Sequence, residues 1–143
     1  MDSQIDFHGA KVAFFIGNEI LVYRRDNKPD IPFPDMLDLP GGGRENDETG
    51  AECAVRETFE EFGIRVQASA LTLVDEYENW RGEGKQALFY VGSLTEAQIG
   101  KIEFGDEGQN WQIMDVKIFL ESDQAVPHLK QRVKSYLAVK KNE

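Results

Sequence analysis

At 143 residues the chain has room for one compact domain with its own core, and 41% hydrophobic with 29% charged residues place it among globular chains and exclude disorder. No apolar run approaches the roughly 20 residues that a bilayer-spanning helix needs, and the opening Met1-Asp2-Ser3-Gln4 lacks the basic-then-apolar order of a secretory signal. A formal net charge of −10 makes a nucleic-acid backbone an unfavourable partner, while the single cysteine, Cys53, cannot form an internal disulfide, so a cytoplasmic setting is expected.

In chain order, Lys11–Ile16 and Ile20–Arg25 read as two strands of a hairpin joined by Gly17-Asn18-Glu19. Asn27–Asp35 carries Pro29, Pro32 and Pro34 and is expected to be loop. Leu37–Leu39 suggests a short strand ending at Pro40, followed by a flexible turn at Gly41–Gly43. From Gly50 to Phe62 the spacing predicts a helix, with Ala51, Val55, Thr58, Phe59 and Phe62 on its apolar face, and Gly63 suits a left-handed helix terminus. Ile64–Tyr77 reads as largely extended and Gln86–Val91 as a paired strand, with Trp80–Lys85 the link between them. Thr95 to Gln98 has capping-box spacing. Trp111–Val116 reads as a strand, Val116–Glu121 as a short helix, and Pro127–Lys140 as an amphipathic helix with Leu129, Val133, Tyr136 and Leu137 inward. Lys130, Arg132, Lys134, Lys140 and Lys141 form the densest basic group, read as a solvated face of that last helix. The mixture predicts an α/β chain of the α+β type, with a mixed β-sheet and helices packed on it.

The chemistry concentrates in the run from Gly42 to Ile64, GGRENDETGAECAVRETFEEFGI. On a helix Glu57, Glu60 and Glu61 stand at i, i+3 and i+4 and share a face. Three carboxylates so placed repel one another, and a hard divalent cation reverses that sign. Mg²⁺ takes oxygen ligands and leaves positions open for substrate phosphates, with Mn²⁺ a possible substitute. The bland alternative is a solvated acidic face after a glycine turn.

The spacing of Gly42, Glu48, Arg56-Glu57, Glu60-Glu61 and Gly63 resembles the Nudix box, G-x5-E-x7-R-E-U-x-E-E-x-G-U, with Ile64 at the final aliphatic position and Thr58 a mild departure at the first. At about 7% usage per fixed residue, a chance match in a chain this long has odds of roughly one in a million. The preceding LDLPGGG, with Leu37 where tryptophan is common, extends the resemblance. It implies a Nudix α/β/α sandwich over a single domain, residues 1–143. It further implies Glu57, Glu60, Glu61 and the Gly41 carbonyl as metal ligands, Arg56 and Glu48 as a supporting salt bridge, and Gly42 and Gly63 as structural support of the site. In the mutator-type nucleoside triphosphate branch a loop glutamate before the late strand reaches the metal site. Glu107 is the candidate here, with Asp106 as fallback, and Glu60 is the other candidate base. Arg24 or Arg25 is a candidate substrate-phosphate ligand, and Tyr77, Trp80 and Arg81 could stack a base. His8 and His128 are expected to lie apart from the acidic cluster.

The implied activity is metal-dependent cleavage of a diphosphate linkage in a small-molecule nucleotide, with a nucleoside triphosphate giving monophosphate and pyrophosphate. Nucleotide-sugar or dinucleoside polyphosphate hydrolysis stays open, as do monomer and homodimer. The rival classes are a non-catalytic nucleotide-sensing Nudix module and an RNA 5′-end pyrophosphohydrolase; intact glutamates weigh against the first and the net charge against the second.

Overall fold

The computed structural model describes residues 7–78 and 86–141. The link Trp80–Lys85, and with it Trp80 and Arg81, lies outside the described residues.

β1 (Phe7–Ile16) and β2 (Glu19–Arg24) form the expected hairpin, with Gly17 supplying the positive φ of 60° at its turn. β1 begins earlier than the alternation suggests, at Phe7. The hairpin is also shorter: β1 and β2 pair only at Phe15–Ile20 and Ile16–Glu19. Beyond that point they diverge. β2 continues along β7 (Asn110–Asp115), from Glu19–Asp115 to Arg24–Asn110. β1 runs parallel to β6 (Gln86–Ser93), which pairs antiparallel with β5 (Thr72–Glu78).

The fork between β1 and β2 is filled by the LDLPGGG segment. β3 (Leu37–Asp38) pairs with β2, the chain turns at Pro40, whose carbonyl accepts the Val12 N–H at 2.9 Å, and β4 (Gly41–Gly43) pairs antiparallel with β1. Gly41–Gly43 is therefore a strand, where a flexible turn was expected. Its glycines answer a need for closeness: at Gly41, with φ 134°, a Cβ would collide with the Ala10 carbonyl of β1. The resulting mixed sheet has the path β3-β2-β1-β6-β5, with β4 and β7 joined to β1 and β2.

Strand alternation supplies two cores. Ala10, Val12, Phe14, Leu88 and Tyr90 face one side, where they meet Cys53, Ala54 and Phe62 of α1 (Gly50–Phe62). Ala13, Phe89 and Val91 face the other, against Phe119 of α3 (Val116–Glu121) and Leu129 and Val133 of α4 (Pro127–Lys141). Helices thus cover both faces, giving an α/β/α sandwich. α2 (Glu96–Ile99) is the short turn opened by the Thr95–Gln98 capping box, and a 3₁₀ turn at Ala68–Ala70 interrupts the stretch expected to be extended.

α1 has the limits its spacing predicts, and local chemistry sets both ends. Thr49 and Glu52 form a reciprocal capping box, which satisfies two N-terminal N–H groups. Gly63, with φ 70°, donates its N–H to the Phe59 carbonyl at 2.8 Å. The face differs from expectation. Gly50, Cys53, Ala54, Thr58, Glu61 and Phe62 are the buried residues, whereas Phe59 is 41% exposed and lies under the Arg65 guanidinium. The helix is rolled so that its inward side carries a glutamate among the apolar residues.

Candidate active site

A cleft of about 490 Å³ opens where the β1–β2 fork, α1 and α4 meet. Glu57, Glu60 and Glu61 line it together with Gly41–Gly43, so helix and strand edge deliver carboxylates and backbone to one space. Glu107 lines it from the loop before β7.

Glu61 is 5% exposed and accepts the Gly41 N–H at 2.9 Å. Burial pushes its carboxyl up to about 8 against the pull of Lys11 and the Gly41 N–H, and the nearby Asp38 and Glu57 charges push the same way. Glu57 is also raised, chiefly by burial, although the Arg56 guanidinium holds it at 2.9 Å. Glu60 is the most open of the three and reaches the same guanidinium nitrogen at 3.2 Å.

Arg56 is the hub of this side. Its Nε and one terminal nitrogen fork onto Glu48 at 2.7 and 3.1 Å, and that terminal nitrogen also donates to the Gly43 carbonyl at 2.8 Å. The other terminal nitrogen serves Glu57 and Glu60. A planar fork suits this work in a way a lysine does not. It ties the loop carrying Glu48, strand β4 and two of the helix carboxylates into one unit.

Gly42 faces Glu57 so closely that a Cβ there would stand 2.7 Å from the carboxyl carbon. Because the far end of a side chain can swing away, Gly42→Ala should leave the melting temperature within a few degrees of wild type. Should the cleft support turnover, the displaced Glu57 should nevertheless lower kcat/KM by about 10²-fold, the scale of a misplacement of about 1 Å. Paired thermal melts and steady-state kinetics would check this, and an unchanged kcat/KM would show that the position of Glu57 is unimportant.

On the other side of the fork Asp38 is only 2% exposed. It accepts from Lys11 at 3.1 Å, the Tyr23 hydroxyl at 3.0 Å, Arg25 at 2.8 Å and the Leu39 N–H at 2.7 Å. The two cations outweigh burial and hold it below the usual carboxylate range. Lys11 also donates to the Gly41 carbonyl at 3.3 Å, linking this network to β4. No local signal in the sequence marks Lys11, Tyr23 and Asp38 as a group; they meet because β1, β2 and β3 border the same fork.

Other residues fall differently from expectation. Arg25 lines the cleft, but its guanidinium is committed to Asp38 and the Pro32 carbonyl. Arg24 does not line it: its nitrogens hold the Asp35 carbonyl at 2.7 Å and the Gln124 side chain at 2.8 Å. His8 and His128, expected to lie apart from the acidic cluster, both line the cleft. Burial and the neighbouring Arg132 charge push His128 down to about 4, so it is neutral at pH 7. Arg132, expected on a solvated face, is 5% exposed, because the turn of α4 that begins at His128 is pressed against the sheet. Tyr77 lies beneath the Arg132 guanidinium.

Among the described residues no three acidic, histidine or cysteine side chains converge as a ready-made metal cage. The reason lies in the contacts above: Glu57 and Glu60 turn to Arg56, and Glu61 turns to Gly41. The donor set still fits a hard cation, since carboxylates and backbone carbonyls are oxygen ligands and a divalent ion would offset the burial, and the lesser repulsion between carboxylates, that raise Glu57 and Glu61. No helix among the described residues is long and apolar enough to cross a membrane.

Comparison with known proteins agrees with this geometry. The NUDIX domain profile matches residues 7–136. No curated protein matches the chain. Among solved structures, a MutT protein from Methanosarcina mazei superposes with a TM-score of 0.70 at 18% identity, covering 96% of this chain and 98% of that one. A MutT/nudix family protein from Enterococcus faecalis gives 0.63 at 17% identity over 78% of this chain, which spans only 44% of that one. A bifunctional NMN adenylyltransferase/ADP ribose pyrophosphatase from Francisella tularensis, solved with AMP and a Mn ion, gives 0.66 at 22% identity, covering 93% of this chain and 41% of that one. At these identities the likeness establishes the fold.

Proposed function

The chain belongs to the Nudix family, and from that premise we propose that it is a pyrophosphohydrolase that converts a nucleoside triphosphate to the monophosphate and pyrophosphate with Mg²⁺, or Mn²⁺ in its place. The observation that carries this reading is the shared cleft of Glu57, Glu60, Glu61 and Gly41, braced by Arg56. Glu57, Glu60, Glu61 and the Gly41 carbonyl would hold the metal. When bound, it supplies neutralisation of phosphate charge and activation of water.

The chain's own residues do the rest. Arg56 and Glu48 fix the helix carboxylates relative to β4. Glu107, on the loop facing them, accepts the proton that the attacking water loses as its oxygen bonds to phosphorus; Glu60 is the alternative acceptor. The bridging P–O bond then breaks, and the electron pair leaves with the departing phosphate oxygen. The small cleft suits a free nucleotide, and a cytoplasmic setting is part of the proposal.

The test is a panel of nucleoside triphosphates, nucleotide sugars, dinucleoside polyphosphates and triphosphorylated RNA, each with Mg²⁺, with Mn²⁺ and with chelator, and with products identified. Expected are monophosphate and pyrophosphate from at least one nucleoside triphosphate, abolished by chelation. Binding without cleavage of any member would replace the enzyme with a sensor, and cleavage confined to another class would move the substrate.

A further inference from the structure

The end of the cleft away from α1 contains a group that the proposed chemistry leaves unused. Arg132 lines the cleft and is 5% exposed. Its guanidinium lies over the Tyr77 ring, 4.5 Å from the centroid, a contact that takes none of its N–H donors to an oxygen. No hydrogen bond or ion pair to it is present among the described residues. Its nitrogens are not sealed in the interior but open onto the cleft, where a ligand's acceptors can reach them. Its partial burial lowers its pKa, against the opposing pull of Tyr77.

The neighbouring carboxylate is not available to it. The Asp38 carboxylate also borders the cleft, but its oxygens are taken by Lys11, Tyr23, Arg25 and the Leu39 N–H. Space is provided instead. Gly9 and Ala87, paired across β1 and β6, put small residues along the cleft, and Tyr77 pairs with Ala87 on the next strand. His128, one helical turn before Arg132, and Phe33, whose ring centroid is 5.5 Å from that of the imidazole, complete this end.

We infer that Arg132 is a specificity-determining residue whose guanidinium receives two adjacent hydrogen-bond acceptors on the part of the substrate remote from the scissile diphosphate. This rests on the nucleotide hydrolase reading above. Two sources supply that chemistry: the O6 and N7 edge of a 6-oxopurine, which an arginine fork matches and which adenine, with a donor at N6, does not, and the oxyanions of an additional phosphate.

Nucleoside monophosphates, which contain no diphosphate to cleave, separate binding from turnover. Calorimetric titration of the full chain in Mg²⁺ with GMP, AMP and adenosine 3′,5′-bisphosphate distinguishes the sources. Wild type is expected to bind GMP or the bisphosphate at least about tenfold more tightly than AMP, the discrimination of one bidentate contact. Arg132→Met should remove that preference while AMP binding changes little. Arg132→Lys, which keeps the charge without the fork, should not restore it, and thermal melts of both variants would establish that they are folded. Equal affinities for all three ligands in wild type, no binding of any, or an undiminished preference in Arg132→Met would overturn the inference. A preference that depends on Arg132 in a chain that cleaves nothing in the substrate panel would sink the hydrolase reading and leave this one standing.

Discussion

Glu60→Gln and Glu61→Gln are each expected to lower turnover by about 10³-fold, the scale of several kcal/mol of lost charge stabilisation, while the fold is retained. Glu61 is the more informative of the two. Its pKa of about 8 means that at pH 7 and without metal it mostly carries a proton. Glutamine resembles that neutral form and can still accept the Gly41 N–H. Stability at pH 7 without metal should therefore change little even as activity collapses.

The same shift fixes a pH dependence. The folded-state value lies above the ordinary 4.5, so the folded chain holds the proton more tightly than the unfolded one. That contribution to stability is fully present below about 4.5 and is lost as pH rises through about 8. Metal-free wild type should lose melting temperature across that window, and Glu61→Gln should lose less. Because a ligand carboxyl must release its proton, Mg²⁺ affinity of wild type should rise over the same range. Kinetics at saturating Mg²⁺, melts at pH 5 and pH 9 in chelator, and Mg²⁺ titrations across the same pH range would check the three in turn. Wild-type turnover in either variant would remove the carboxylate face from the mechanism.

Asp38→Asn is expected to cost about 3 kcal/mol, the range for breaking a buried ion pair from one side. In a chain of this size that is a fall of roughly 6–12 °C in melting temperature. The substitution keeps one acceptor oxygen but removes the charge facing Lys11 and Arg25 and can turn N–H donors toward them. The effect should reach the active site, because Lys11 also donates to the Gly41 carbonyl. The pH sign is opposite to that of Glu61. Asp38 is held below its ordinary value, so its contribution is present above that value and lost as pH falls through the folded-state pKa. Thermal melts between pH 3 and pH 7 would show a steeper acid loss in wild type than in Asp38→Asn. Equal melting temperatures at pH 7 would mean that the network does not hold the fork together.

Much of this was legible in the sequence because it is set locally. The limits of α1 follow from apolar periodicity and Gly63, and the start of α2 from the Thr95–Gln98 box. The box spacing put Glu57, Glu60 and Glu61 on one helix face without any knowledge of what lay opposite. It was silent on the roll of that helix, since burial of one side depends on its neighbour: β4 receives Glu61 and leaves Phe59 outside. The Gly41–Gly43 strand could not be read either, because its glycines reflect the closeness of β1 and Glu57, which are distant in sequence. Arg132 looked like one more cation on an exposed helix and proved to be buried in the cleft. By itself, then, the sequence determined which carboxylates share one helix face, because that depends on residues a helical turn apart. Only the tertiary structure decided which groups surround it, because Lys11, Asp38, His128 and Arg132 come together through packing of α4 and the splaying of β1 from β2.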